Sequence, residues 1–279
     1  MLESPIPGEL FNSSSLLGLN LGDNIFSGSI PDTIGEMTAL LGLFLFSNRF
    51  SGQIPPSIGS MGNLTSARLR GNALTGSIPS SIGSCTSLEV LYLHQNDLSG
   101  RIPSTIGGLT NLVELMVHEN ALTGPVPSEI GLVTKLVEMR FQQNQLSGQL
   151  PEELYKCTNI ATFALFENNF TGTISTGIGN MTQMLFMVIQ KNGFTGPIPT
   201  EIANLTQLQT VWIQENMFTG PVPDEICDLR GTLAFLNADC GPVLAPSNPC
   251  TCCSACCDRT ISPVECRDLE TADQRGSGN

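Results

Sequence analysis

Apolar and polar positions alternate over short stretches along most of the chain, and the stretches recur with one fixed spacing. Asparagine stands at Asn24, Asn48, Asn72, Asn96, Asn120, Asn144, Asn168, Asn192 and Asn216, a constant 24 residues apart. Three and five residues before each Asn comes an apolar residue, as with Leu91 and Leu93 before Asn96. Four after comes glycine, from Gly28 to Gly220, and seven after comes proline, from Pro31 to Pro223, with Ser175 the one exception. A period of this length is the mark of a repeat architecture. The alternating stretch predicts a short strand with one buried face. The Gly, Ser/Thr and Pro that follow predict a turn. At a buried corner an Asn amide both donates to and accepts from backbone groups that the turn leaves unpaired. The recurrence therefore assigns the nine asparagines to a structural ladder.

One such unit cannot bury its apolar edge alone. Stacked units cover one another and pair their strands, giving an elongated, curved solenoid with a parallel sheet along one side. The predicted organisation is a partial first repeat over 1–14 and nine 24-residue repeats over 15–231. A cysteine-rich cap follows over 232–257, then a flexible polar tail over 258–279. The phase slips by one residue at Leu233 and Leu236.

The string LEVLYLHQNDLSGRIPSTIGGLTNL (88–112) resembles the plant-specific class of leucine-rich repeats. The resemblance covers about residues 5 to 240 and rests on the 24-residue period with its LSGxIP signature. It implies an α/β repeat solenoid, a horseshoe or superhelix with a concave parallel β-sheet and a convex side of short 3-10 turns and loops. It also implies a receptor-like or inhibitor-like module that binds a protein, peptide or glycan. In such plant ectodomains a paired-cysteine cap precedes the first repeat; here no cysteine precedes Cys85 and Ile6-Pro7 is already in phase with Ile30-Pro31. The expectation is the C-terminal part of a longer protein or a truncated gene product; separately, an ectodomain fragment of a leucine-rich-repeat receptor-like kinase is an alternative reading. The cysteine-rich ending is similar, over a shorter stretch, to repeat proteins of diatoms.

With 12 Lys+Arg against 25 Asp+Glu the net charge is −13, which disfavours nucleic acid as a partner. No apolar run approaches the length of a membrane span. No nucleophile elbow, P-loop, GxGxxG before a helix, HExxH or kinase motif is present, and the chain holds only two histidines, so no enzyme and no cofactor is expected.

Candidate chemistry lies on the concave face. Positions two, four and six before each ladder Asn point outward there, and they include Phe44, Phe46, Arg68, Arg70, Tyr92, His94, Met116, His118, Arg140, Phe166 and Trp212. Aromatic residues and arginine are the usual anchors of interfaces. Arg68, Arg70 and Arg140 with His94 form a basic strip, with Glu114, Glu119 and Glu138 alongside. His94 and His118 fall on adjacent strands; the pair lacks a third ligand for a metal, and a pH-sensitive contact is the milder expectation. A structural role remains open beside recognition: adhesion, or an ice- or matrix-binding array, for which the Ser/Thr column from Ser27 to Thr219 is the relevant feature.

Eight of the ten cysteines cluster late: Cys227, Cys240, Cys250, Cys252, Cys253, Cys256, Cys257 and Cys266. They read as a disulfide cap, with a thiolate metal cluster and lipidation as alternatives. Cys85 and Cys157 occupy an apolar repeat position and read as small buried hydrophobes. Sequons at Asn12, Asn63, Asn169, Asn180 and Asn204 are glycosylation candidates. With the cysteine cap they point to an extracellular or cell-surface location.

Overall fold

A computed structural model describes residues 10–11, 13–239, 253–258 and 265–268. Within them, strands from successive coils form two sheets. The larger has 12 strands and takes one per coil, from Gly18–Asn20 through Val90–Tyr92 to Phe235–Asp239, before ending on Ala255–Asp258 and Glu265–Asp268. Its coils pair in parallel at the repeat spacing, with Leu91 opposite Leu115 and Met139 opposite Phe163. At the phase slip the offset becomes 25 residues, Val211 pairing with Leu236.

The second sheet departs from the sequence expectation. The residues after each Asn were predicted to turn, yet they form a nine-stranded parallel sheet running from Ser27–Ser29 to Met217–Phe218. Its bonds run between coils, so a Gly/Ser/Thr composition that disfavours a strand within one coil is overridden by identical neighbours in phase. Glycines such as Gly76 and Gly100, both at φ +74°, close these strands. On the convex side the chain makes five-residue 3-10 turns such as Ser104–Gly108, each entered from the repeat Pro or, in one coil, Ser175. The last coil substitutes a short α-helix, Asp224–Cys227.

The core is the space between the sheets and these turns. Leu91 and Leu93 are 0% and 1% exposed, and their counterparts line every coil. Two residues after each Asn a buried Phe or Leu points inward. Phe170, Phe194 and Phe218 stack there with ring centroids 6.0 and 6.2 Å apart.

The ladder asparagines tie each corner to the previous coil. Asn96 donates from Nδ2 to the carbonyls of Leu93 (3.0 Å) and Leu69 (3.1 Å), and its Oδ1 accepts from the Leu74 N–H (3.0 Å). The same set repeats at Asn72, Asn120 and Asn144. The residue before each of these corners is left-handed, with φ of +58° at Gln95 and +54° at Glu119. Non-glycine residues adopt that region only where surrounding bonds impose it.

The segment 258–279, expected as a flexible tail, includes one further strand. Residues Glu265–Asp268 pair antiparallel with Ala255–Asp258 and extend the larger sheet, because the open edge of that sheet offers unpaired backbone groups. No helix among the described residues is long and apolar enough to cross a membrane.

Candidate functional site

Alternation along the larger sheet sends odd positions inward and leaves even ones on the concave face. Phe44, Arg68, Tyr92, Met116 and Arg140 therefore line up in one row through direct cross-strand register. The bulky groups are not bare in water, as the sequence alone implies; they pack on one another and are half-buried. The Arg68 guanidinium lies between two rings, 5.5 Å from the Phe44 centroid and 5.1 Å from that of Tyr92. Arg70 covers Phe46 at 4.9 Å. Cation–π contact of this kind fixes a flexible side chain and keeps its charge. The Tyr92 hydroxyl donates to Glu114 Oε2. Burial, and then that carboxylate, push the Tyr92 phenol up to about 12.

The basic strip is shorter than its sequence suggests. Arg140 is paired with Glu138 (Nε to Oε2, 2.9 Å), and Glu138 also accepts from Thr162 Oγ1 (3.0 Å). Arg68 and Arg70 have no carboxylate partner among the described residues, and the Arg68 Nε is buried without a bond. His94 adds no charge at neutral pH. Its ring stacks on His118, centroids 4.2 Å apart and planes 12° from parallel. Burial lowers its pKa to about 3, with His118, Arg70 and Arg140 acting in the same sense. Burial lowers that of His118 to about 4, against the pull of Glu119. Among the described residues no three His, Cys, Asp or Glu are grouped to hold a metal.

This pair makes stability pH-dependent. Above pH 6.5 both histidines are neutral in the folded and unfolded chain. As pH falls toward about 4 the unfolded chain takes up protons that the folded one refuses, so the native state loses stability. Linkage puts the loss at about 2 kcal/mol per histidine by pH 5. Urea unfolding at pH 8 and pH 5 should show a smaller pH-dependent drop for His94→Gln/His118→Gln than for the native chain; equal drops would contradict the assignment.

Toward the C-terminal end the face becomes neutral. Trp212 is half-buried and in register with Val188 and Asn237, while Phe166 borders Gln142 and Gln190. Two exposed rings join it that the sequence reading passed over, Phe186 (37% exposed) and Phe235 (57%). Both stand six before the ladder position; the one-residue slip conceals Phe235 from a strict 24-residue count. Cys227 and Cys253 are disulfide-bonded, whereas Cys85 and Cys157 are free and fully buried. Of the other cysteine candidates, Cys240, Cys250 and Cys252 lie outside the described residues, as does Asn12. Asn169, Asn180 and Asn204 are exposed; Asn63 is exposed too but donates to the Thr38 carbonyl at 2.9 Å.

Stacked coils, an asparagine ladder and a concave parallel sheet define a leucine-rich-repeat solenoid. The profile for Leucine Rich Repeat matches residues 39–61, 63–85 and 87–109. No curated protein sequence matches the chain. Among solved structures, the chain is similar to a TDR receptor, at 26% identity and TM-score 0.70 over 87% of this chain and 47% of that one. It is similar also to the Arabidopsis receptor kinase HAESA, solved in complex with the peptide hormone IDA and the co-receptor SERK1. There the identity is 28% and the TM-score 0.58, over 86% of this chain and 48% of that one. A leucine-rich-repeat protein of Leptospira interrogans matches at 28% identity and TM-score 0.73, over 88% and 59% of the two chains. The chain thus spans about half the length of the plant receptors it matches.

Proposed function

We propose that the chain is a non-catalytic recognition module whose concave face binds an acidic protein or peptide, with Arg68 and Arg70 as its anchors. One observation carries this reading. On a protein of net charge −13, two guanidinium groups are held in place by Phe44, Tyr92 and Phe46 and have no carboxylate partner among the described residues. A pre-oriented, unpaired arginine loses little freedom on binding, and its charge-assisted bonds to a carboxylate are strong. The peptide hormone in the HAESA complex supports a peptide as the ligand. The same likeness supports a location at the cell surface or outside the cell. The disulfide-bonded end and the exposed sequons at Asn169, Asn180 and Asn204 agree with it. In this reading the chain is one part of a longer, receptor-like protein.

Selection from a displayed peptide library should enrich acidic sequences. Arg68→Glu/Arg70→Glu should weaken their binding by about a hundredfold or more while leaving the circular dichroism spectrum unchanged. Enrichment of neutral or basic peptides, or unchanged affinity in the variant, would refute the assignment. The array reading has weaker support. The second sheet does carry the Ser27-to-Thr219 column, but exposed Arg49, Ala73 and Asp97 beside it break any uniform surface.

A further inference from the structure

The flank where each 3-10 turn returns to the larger sheet carries a continuous trough. One part, of about 510 Å³, is lined by half-buried Val113, Val137, Ala161 and Leu185 and by exposed Lys135, Asn159, Gln183 and Gln207. The next, of about 380 Å³, shares Leu185 and Gln207 and runs on to Gln209, Thr232 and Ala234. From Val113 to Ala234 the trough crosses six coils, roughly 24 Å at the spacing of paired strands. Phe186 and Phe235, next in sequence to Leu185 and Ala234, stand exposed on the adjoining concave face.

Its chemistry differs from that of the arginine anchors. Lys135 at one end is occupied, its Nζ donating to Asn111 Oδ1 at 2.8 Å. Beyond it every polar group is an uncharged amide or hydroxyl, on a chain that elsewhere is strongly acidic. Asn159 donates to the Thr134 carbonyl and keeps its own oxygen free. The side chains of Gln183, Gln207 and Gln209 bond to nothing among the described residues. Amides therefore recur once per coil over three consecutive coils, at Asn159, Gln183 and Gln207, about every 4.8 Å, beside a floor of Val137, Ala161 and Leu185. Beyond Lys135 an ionic ligand finds no counter-charge along this trough.

We infer that this trough binds a neutral, β-linked oligosaccharide running along the solenoid axis. A pyranose offers an apolar C–H face to the Val137, Ala161 and Leu185 floor, and its ring hydroxyls both donate to and accept from amides. Its length along a β-linked chain is comparable to the coil spacing, so one ring meets one coil and successive amides meet equivalent hydroxyls. The exposed rings of Phe186 and Phe235 extend the stacking surface. This site does not depend on the arginine-centred reading.

Saturation-transfer NMR on the full chain with cellohexaose and laminarihexaose tests the inference, with an oligogalacturonate and an extended neutral peptide as controls. At least one neutral hexasaccharide should receive saturation, and the matching disaccharide should bind about tenfold more weakly or worse. Gln183→Ala/Gln207→Ala, both exposed positions, should weaken binding by about tenfold or more. Arg68→Glu/Arg70→Glu should leave it unchanged. Absence of transfer from both hexasaccharides would overturn the inference. So would native affinity in the glutamine variant, or an equal response from the acidic sugar or the peptide.

Discussion

Replacing Asn96 with alanine is expected to destabilise the chain by about 3 kcal/mol or more, whereas the same change at Asn63 should cost under about 1 kcal/mol. Both are asparagines that donate to the previous coil. Asn63 is exposed and makes one such bond, to Thr38, which water can replace. Asn96 is 8% exposed and holds the Leu74 N–H and the carbonyls of Leu69 and Leu93. With the amide gone, the Leu74 N–H stays buried and unpaired, at roughly 1–3 kcal/mol, while the Leu69 and Leu93 carbonyls keep their bonds from Asn72 and Asn120 and each lose one of two, at about 1 kcal/mol. The turn at left-handed Gln95 also loses the Asn96 bond to the His94 carbonyl. Because coils interact with their nearest neighbours, the lesion should open the middle of the stack. Amide exchange at Leu74 should therefore accelerate more than at Leu98 one coil later, which keeps Asn120. Equal destabilisation at the two asparagines would show that burial of the ladder carries no energetic weight.

The period made much of this legible. A fixed spacing sets strand partners without any further information, and the one-residue slip predicts the Val211–Leu236 register. The concave rows follow from the same count. What the count does not hold is interaction between columns. Arg68 and Tyr92 belong to one column and Arg70 and Phe46 to another, but only packing reveals which charges are sandwiched and which, like Arg140, are already paired. Histidine next to arginine reads as basic in a sequence; stacking and burial make His94 neutral. The second sheet was hidden because its bonds join equivalent residues of different coils, while each segment alone looks like a turn. The flank trough combines two columns that are individually unremarkable, nine and seven before the ladder position, which hold Asn159, Gln183 and Gln207 and Val137, Ala161 and Leu185.

One exception in the period explains another, and this yields the second large effect. Gly83 and Gly131 occupy a column where a Cβ would lie 2.2 and 2.3 Å from a carbonyl of the next coil. Tyr155 stands in that column, 24 residues after Gly131, and is only 4% exposed. It fits because the following coil differs. Ser175 replaces the usual proline, and its backbone N–H donates to the Tyr155 hydroxyl at 3.2 Å, a bond that proline cannot make. The Ser175 hydroxyl accepts from the Gly177 N–H (3.1 Å) and donates to Glu152 Oε2 (2.8 Å). Tyr155→Gly should cost about 3–5 kcal/mol through the cavity it leaves. Ser175→Pro should cost about 1–3 kcal/mol by orphaning the buried phenol. In the double variant the Gly/Pro pairing of six other coils is restored, so the combined loss should fall short of the sum by about 1 kcal/mol or more. Urea unfolding of the four proteins closes the cycle. Strict additivity would mean that the tyrosine and the missing proline are independent accidents, and the structure makes them one substitution spread over two coils.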